Sequence, residues 1–204
     1  MASPSLPSTM PAWQFTSTHG GLEKSLVFNS SAPLPPHSSK ALGKDGALVK
    51  ALAMSLNPVD YKLAELPPVG RFSITKPSSP GLDFAGKVVA TGTNTSATEM
   101  QGKIVFRRLA QPVQHGTLAG YTVAPARTLA TVPAGVKYSD AACVATAGLT
   151  AYQSIAPNVK KGGSGGFGLR RHWVAMSSPA VPVGMLNYVK AWARMKWWTT
   201  GRRM

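Results

Sequence analysis

The chain is poor in thiols and in acids. Cys143 is its only cysteine, so an intramolecular disulfide is excluded. No cysteine pair is left for a structural zinc site, whose shell needs several thiolate or imidazole ligands at close spacing. A reducing, cytoplasmic setting is therefore expected. The histidines His19, His37, His115 and His172 lie far apart and place no pair on one helical turn, so no metal site is expected. No apolar run reaches the roughly 18 residues of a membrane-spanning helix. The N-terminus MASPSLPST lacks the basic and apolar regions of a secretory signal, and without arginine it makes a poor transit peptide. The patterned sequence starts at Met10, an alternative start.

Seven acidic residues face 22 Lys and Arg, for a net charge of +15 over 204 residues. Such an excess ordinarily points to nucleic acid or an anionic membrane, but its distribution argues otherwise. Every acid precedes Phe167. From Phe167 to Met204 there are seven basic residues, no acid, and four of the five tryptophans. A change so abrupt implies two parts under different constraints. With 44% hydrophobic residues the chain has a globular composition and can bury a core.

The run from Ala12 to Phe28 reads as a strand, a turn at Gly20 and Gly21, and a second strand near Ser25 to Phe28. Ser30 to Ser39 is Pro/Ser-rich and reads as an extended surface connection. Gly46 to Ser55 fits a buried strand that breaks at Asn57-Pro58, and Asp60 to Leu66 a short helical turn. After the turn Ser79-Pro80-Gly81, strands are expected within Leu82 to Ala90, Lys103 to Arg107, Gly120 to Val123 and Leu129 to Val132. That spacing predicts a mainly β, barrel-like domain up to about residue 135. Beyond Tyr138 the pattern turns helical: Ser139-Asp140 is a candidate N-cap, Ala141 to Ile155 holds one or two helices, and the alanines there permit close packing.

Three ordered segments carry a family resemblance: SLNPVDYKL (55–63), PGLDFAGKVVATG (80–92) and AGYTVAPARTLATVPAGVKYSDAACVATAGLTAYQSI (119–155). Together, over about residues 11–166, they resemble the medium-chain dehydrogenase/reductase superfamily, and within it the zinc-free, quinone oxidoreductase-like and enoyl reductase-like members of fungi. The resemblance implies a GroES-like barrel followed by a Rossmann domain that binds NADPH. It divides the chain into a flexible extension (1–10), a GroES-like domain (11–135), the incomplete start of a Rossmann-like domain (136–168), and a foreign basic, aromatic tail (169–204).

Asn57 and Asp60 sit on a loop leaving a strand, where a neutral amide can donate to a carbonyl oxygen that gains charge as hydride arrives. On the residues alone, the favoured reading is the plainer one, in which Asn57 starts a turn and Asp60 caps the next helix. The resemblance favours a catalytic reading of both. The Cys ligand of zinc-dependent relatives is missing from this loop, so catalytic zinc is not implied. Tyr61 and Lys62 are candidates for lining the cofactor cleft, against ordinary packing or surface roles. Thr146 and Thr150 match the family's Ala-Gly-Leu-Thr-Ala-Tyr stretch and are candidates for the nicotinamide ribose or phosphate; a hydroxyl bonded to its own helix is the alternative. Pro80, Gly81 and Asp83 repeat the family's Pro-Gly-x-Asp pattern, whose role there is mainly structural.

Gly163, Gly165 and Gly168 complete a literal G-x-G-x-x-G, the loop that sets backbone N–H groups against a pyrophosphate. Such a loop should follow a buried strand. Here it follows Pro157 to Lys161, too short and polar for one. A segment is missing relative to the family, and NADPH binding by this chain is expected to be weak or absent.

The tail yields to the genetic code. If the DNA is read one base earlier, Trp192-Ala193 forces Gly, Met195-Lys196 forces Glu, Trp197-Trp198 forces Val and Trp198-Thr199 forces Asp. The positions between permit LGADEVVDY across Ala191 to Thr200, and Gly184 to Ala191 permit NVELCKG, both similar to the family. The tail is therefore read as out of frame, so its charge implies neither nucleic acid nor membrane. At face value it would instead be a basic aromatic segment for membrane surfaces or single strands. The implied function is NADPH-dependent hydride transfer to a quinone, activated alkene or carbonyl of a small molecule, with this chain inactive or weakly active. The homodimer of intact relatives is not expected here. The competing class is a non-enzymatic remnant or interaction module.

Overall fold

The computed structural model describes residues 6–66, 74–110 and 113–155. It consists of antiparallel sheets with few helices. Strands β1 (Thr9–Gln14) and β2 (Val27–Pro33) form a two-stranded ribbon. Strands β3 (Gly46–Ser55), β4 (Asp83–Thr91), β5 (Ile104–Arg108), β6 (Tyr121–Pro125) and β7 (Ala130–Thr131) form a sheet in the order β6-β3-β4-β5-β7. The ribbon is tied to the segment before β6 by Trp13 N–H donating to Leu118 O and Gly120 N–H to Pro11 O, both at 2.9 Å.

The near-continuous apolar run of β3 has a direct cause. Val49 packs with Leu82, Phe84, Val88 and Val105 in one cluster, while its neighbour Leu48 packs with Met10, Ala32 and Tyr121 in another. Successive residues of a strand point to opposite faces, so both faces of β3 are covered and both must be apolar.

Two sequence readings are corrected. β2 runs on through Ser30 to Pro33, inside the stretch read as a connection, because pairing of Met10 with Ala32 and Thr9 with Pro33 satisfies its backbone and Ala32 is fully buried. The strand opposite begins at Thr9, with Met10 buried. Between the two, Gly20 and Gly21 adopt φ of 80° and 107°, followed by one helical turn, α1 (Leu22–Ser25). Two more single turns, α2 (Ser39–Leu42) and, after α3 (Pro58–Glu65), α4 (Thr95–Thr98), link the strands.

The second correction concerns the helical segment. Lys137, with extended φ and ψ of −68° and 143°, is the N-cap of α5 (Tyr138–Cys143), so Ser139 and Asp140 lie inside the first turn. There the Asp140 carboxylate complements the positive end of the helix. A π-helical turn (Val144–Gly148) separates α5 from α6 (Leu149–Ile155). The expected close packing is present: Ala141 and Ala142 dock on Ala85 of the sheet, beside Ala53, Phe106 and Val132.

Candidate functional site

β3 ends at Ser55, and two residues later Asn57 is the N-cap of α3, with Pro58 in the first turn. A proline there costs nothing, because its missing N–H would have had no helical partner. Asp60 Oδ2 accepts the Asn57 backbone N–H at 2.7 Å, one arm of a capping box. The Asn57 side-chain amide turns the other way, and its Nδ2 donates to Asp83 Oδ2 at 3.0 Å.

Asp83 is fully buried. Its Oδ1 accepts the Thr146 hydroxyl at 2.6 Å and its Oδ2 accepts the Thr146 backbone N–H at 2.9 Å. Ser55 Oγ lies 3.3 Å from Asp83 Oδ2 and 3.1 Å from the carbonyl of Ala142. A hydroxyl has a single hydrogen, so it serves one of these acceptors at a time. Burial pushes the Asp83 carboxyl up, and the donors from Thr146, Asn57 and Ser55 pull it back in part. Asp60 is pushed from 3.8 to about 7, chiefly by burial; the Asn57 N–H opposes the rise and the nearby Asp83 charge adds to it. Among the described residues the ion pair is Arg127 with Asp45, so neither carboxylate of the site is in an ion pair, although the Arg108 charge also opposes the rise of Asp60.

The structure thus gathers Asn57, Asp60 and Thr146 around Asp83. The turn and capping roles weighed for Asn57 and Asp60 both occur, alongside the amide contact to Asp83. The Thr146 hydroxyl bonds across to the sheet. Tyr61 is half-buried against the cluster of Phe15, Leu22, Ala64 and Leu118, and Lys62 is exposed in the last turn of α3. Thr150 is exposed on α6. Gly163, Gly165 and Gly168 lie outside the described residues. Ser55 escaped sequence reasoning; its one signal is being the first polar residue after the apolar stretch from Ala51. Among the described residues no cluster of three His, Cys, Asp or Glu side chains gathers, and no helix is long and apolar enough to cross a membrane.

The alcohol dehydrogenase GroES-like domain family matches residues 43–134, which span β3 to β7 and include Asn57 and Asp83. The trans-enoyl reductase pgmF of Aspergillus terreus is 49% identical, over 80% of this chain and 49% of its own length. The chain belongs to the medium-chain dehydrogenase/reductase superfamily. It spans about half the length of the curated relatives it matches. Among solved structures, the quinone oxidoreductase from Coxiella burnetii superposes with a TM-score of 0.61 at 30% identity, covering 75% of this chain and 46% of that one. The mycobacterial Rv1454c, solved in complex with NADPH, superposes with a TM-score of 0.59 at 27% identity, covering 76% and 44%. The medium-chain reductase resemblance and the GroES-like assignment are thereby upheld.

Proposed function

We propose that this chain carries the substrate side of a medium-chain reductase that delivers hydride from NADPH to an activated alkene, quinone or carbonyl of a small molecule. In this reading the ribbon and five-stranded sheet form the GroES-like barrel, and residues 136–168 open a Rossmann-like unit. The observation that carries it is the shared carboxylate of Asp83. Through it, a residue on the loop leaving β3 and a residue on the first helical segment after the sheet lie side by side.

The Asn57 amide has two N–H groups and gives one to Asp83. The other is left to donate to a substrate oxygen that gains negative charge. Asp60, with its carboxyl near 7, holds or releases a proton around neutral pH, as a general acid or base must. Around Thr146 in the chain, Val144, Leu149, Thr150 and Tyr152 are exposed on the π turn and α6. This mixture of apolar area and a few polar groups suits a nicotinamide and its ribose. In an intact relative the positions of Thr146, Thr150, Tyr61 and Lys62 would hold the cofactor together with those of Gly163, Gly165 and Gly168, and in this chain they hold it weakly or not at all. NADPH, when bound, supplies the hydride.

The reading of residues 169–204 as out of frame belongs to the same proposal and removes the excess positive charge as an argument for nucleic acid. NADPH consumption with a conjugated enone, a quinone and an aldehyde in turn tests the function. Turnover with at least one acceptor supports it. No turnover with any acceptor, from a chain whose frame is intact past Gly168, overturns it in favour of a non-enzymatic remnant.

A further inference from the structure

Asp83 holds donors from two separate parts of the chain, Asn57 at the start of α3 and Thr146 in the π turn, and the Ser55 hydroxyl at the end of β3 lies within reach of both Asp83 and the Ala142 carbonyl. Ser55 and Asp83 are cross-strand partners at one end of the β3–β4 ladder. Together they engage both ends of one helical turn. An α-helix would bond the Thr146 N–H to the Ala142 carbonyl; here Asp83 accepts that N–H, and the Ser55 hydroxyl donates to that carbonyl. Side chains inserted into a helical ladder open it, and a π turn is the usual outcome. A buried carboxylate without a paired cation is a costly way to fill a core position, since an apolar side chain packs there without desolvating a charge. What the carboxylate provides, and an apolar group cannot, is a fixed direction for several donors at once.

We propose that Asp83 is a positioning residue that sets the Asn57 amide and the Thr146 turn in one register, so that the substrate-polarising group and the segment bordering the cofactor are aligned by a single side chain. The proposal rests on the reductase reading of Asn57. An amide held at one N–H has its second N–H aimed by that anchor, and a misplacement of about 1 Å at such a group costs roughly a hundredfold in rate.

The test needs neither substrate nor cofactor. NMR on the full 204-residue chain follows the side-chain amide of Asn57 and the exchange of selected backbone amides. In Thr146→Val the hydroxyl is lost while the backbone N–H stays. The Asn57 side-chain resonance then shifts, while that of Asn29, bonded to Gln14 on the ribbon at 3.0 Å, does not. In Asp83→Asn, exchange of the Thr146 amide accelerates by roughly tenfold or more relative to the Ala51 and Val88 amides, which bond Gly120 O and Lys103 O. An unmoved Asn57 resonance in Thr146→Val overturns the proposal. So does equal acceleration of all three amides in Asp83→Asn, which would make Asp83 a general support of the fold. Should Asp83→Asn fail to fold, the Thr146→Val result decides alone. Absent hydride transfer with both signatures present would count against the reductase reading and leave the alignment by Asp83 in place.

Discussion

Thr146 is held to the one carboxylate of Asp83 by two bonds, its backbone N–H at 2.9 Å and its hydroxyl at 2.6 Å. Sixty-three residues separate the two in sequence. Their contact joins the GroES-like sheet to the helical segment that follows.

Ser55→Ala removes the hydroxyl that bonds either the Ala142 carbonyl or Asp83. The expected loss is about 1 kcal/mol, the net worth of one ordinary hydrogen bond. Urea denaturation checks it through a lower midpoint at an unchanged slope. No change would mean that the Ala142 carbonyl finds another partner at no cost.

Asp60 makes the stability of the fold depend on pH. Its carboxyl rises on folding from 3.8 to about 7, so the folded state holds the proton more tightly than the unfolded state. The contribution is complete below about pH 4 and is lost as pH rises through about 7, with a limiting slope of about 1.4 kcal/mol per pH unit. Asp60→Asn keeps an acceptor for the Asn57 N–H and should reduce the slope between pH 4 and 7, approximately the interval between the two Asp60 pKa values, leaving the part that belongs to Asp83, whose carboxyl burial also raises. Thermal melts across that range measure it. An equally steep profile in the variant would assign the slope to another group.

Gly81→Ala tests the turn that aims Asp83. Gly81 has φ of 96°, and an added Cβ would stand 2.5 Å from Thr117 Oγ1, itself fully buried, and 3.1 Å from the Leu118 nitrogen. Backbone strain and crowding together should cost about 2 to 4 kcal/mol, read as a fall in melting temperature.

Most strands were legible as apolar runs between glycine and proline breaks, and β3 especially, because both of its faces are covered. β2 was not. VFNSSAP is polar and largely exposed, and only backbone pairing with β1 makes it a strand. Asn57 and Asp60 were legible because a capping pair is a local pattern. The convergence on Asp83 was not, since no local pattern marks a bond across so many residues. The break between α5 and α6 was hidden for the same reason: Ala141 to Ile155 has good helix formers throughout, and the side chains that open the turn come from the sheet.

NADPH should leave the melting temperature of this chain nearly unchanged at micromolar concentrations, because Pro157 to Lys161 is too polar for the buried strand that a cofactor-binding glycine loop should follow. A ligand at a hundred times its Kd would add about 2.7 kcal/mol, so a clear upward shift would contradict the expectation.

The central claim, that Asn57 polarises the substrate of a medium-chain reductase, is tested most directly by hydride transfer. The gene is resequenced from the Gln153 codon past the codon for Met204, the chain is expressed in the frame found, and NADPH oxidation by a conjugated enone is followed for wild type and Asn57→Ala. A one-base shift that opens a continuing frame, with turnover in wild type and a loss of roughly a hundredfold in Asn57→Ala, is the predicted result. Equal rates in the two proteins, or a frame that stands as written and gives no turnover, would contradict the account.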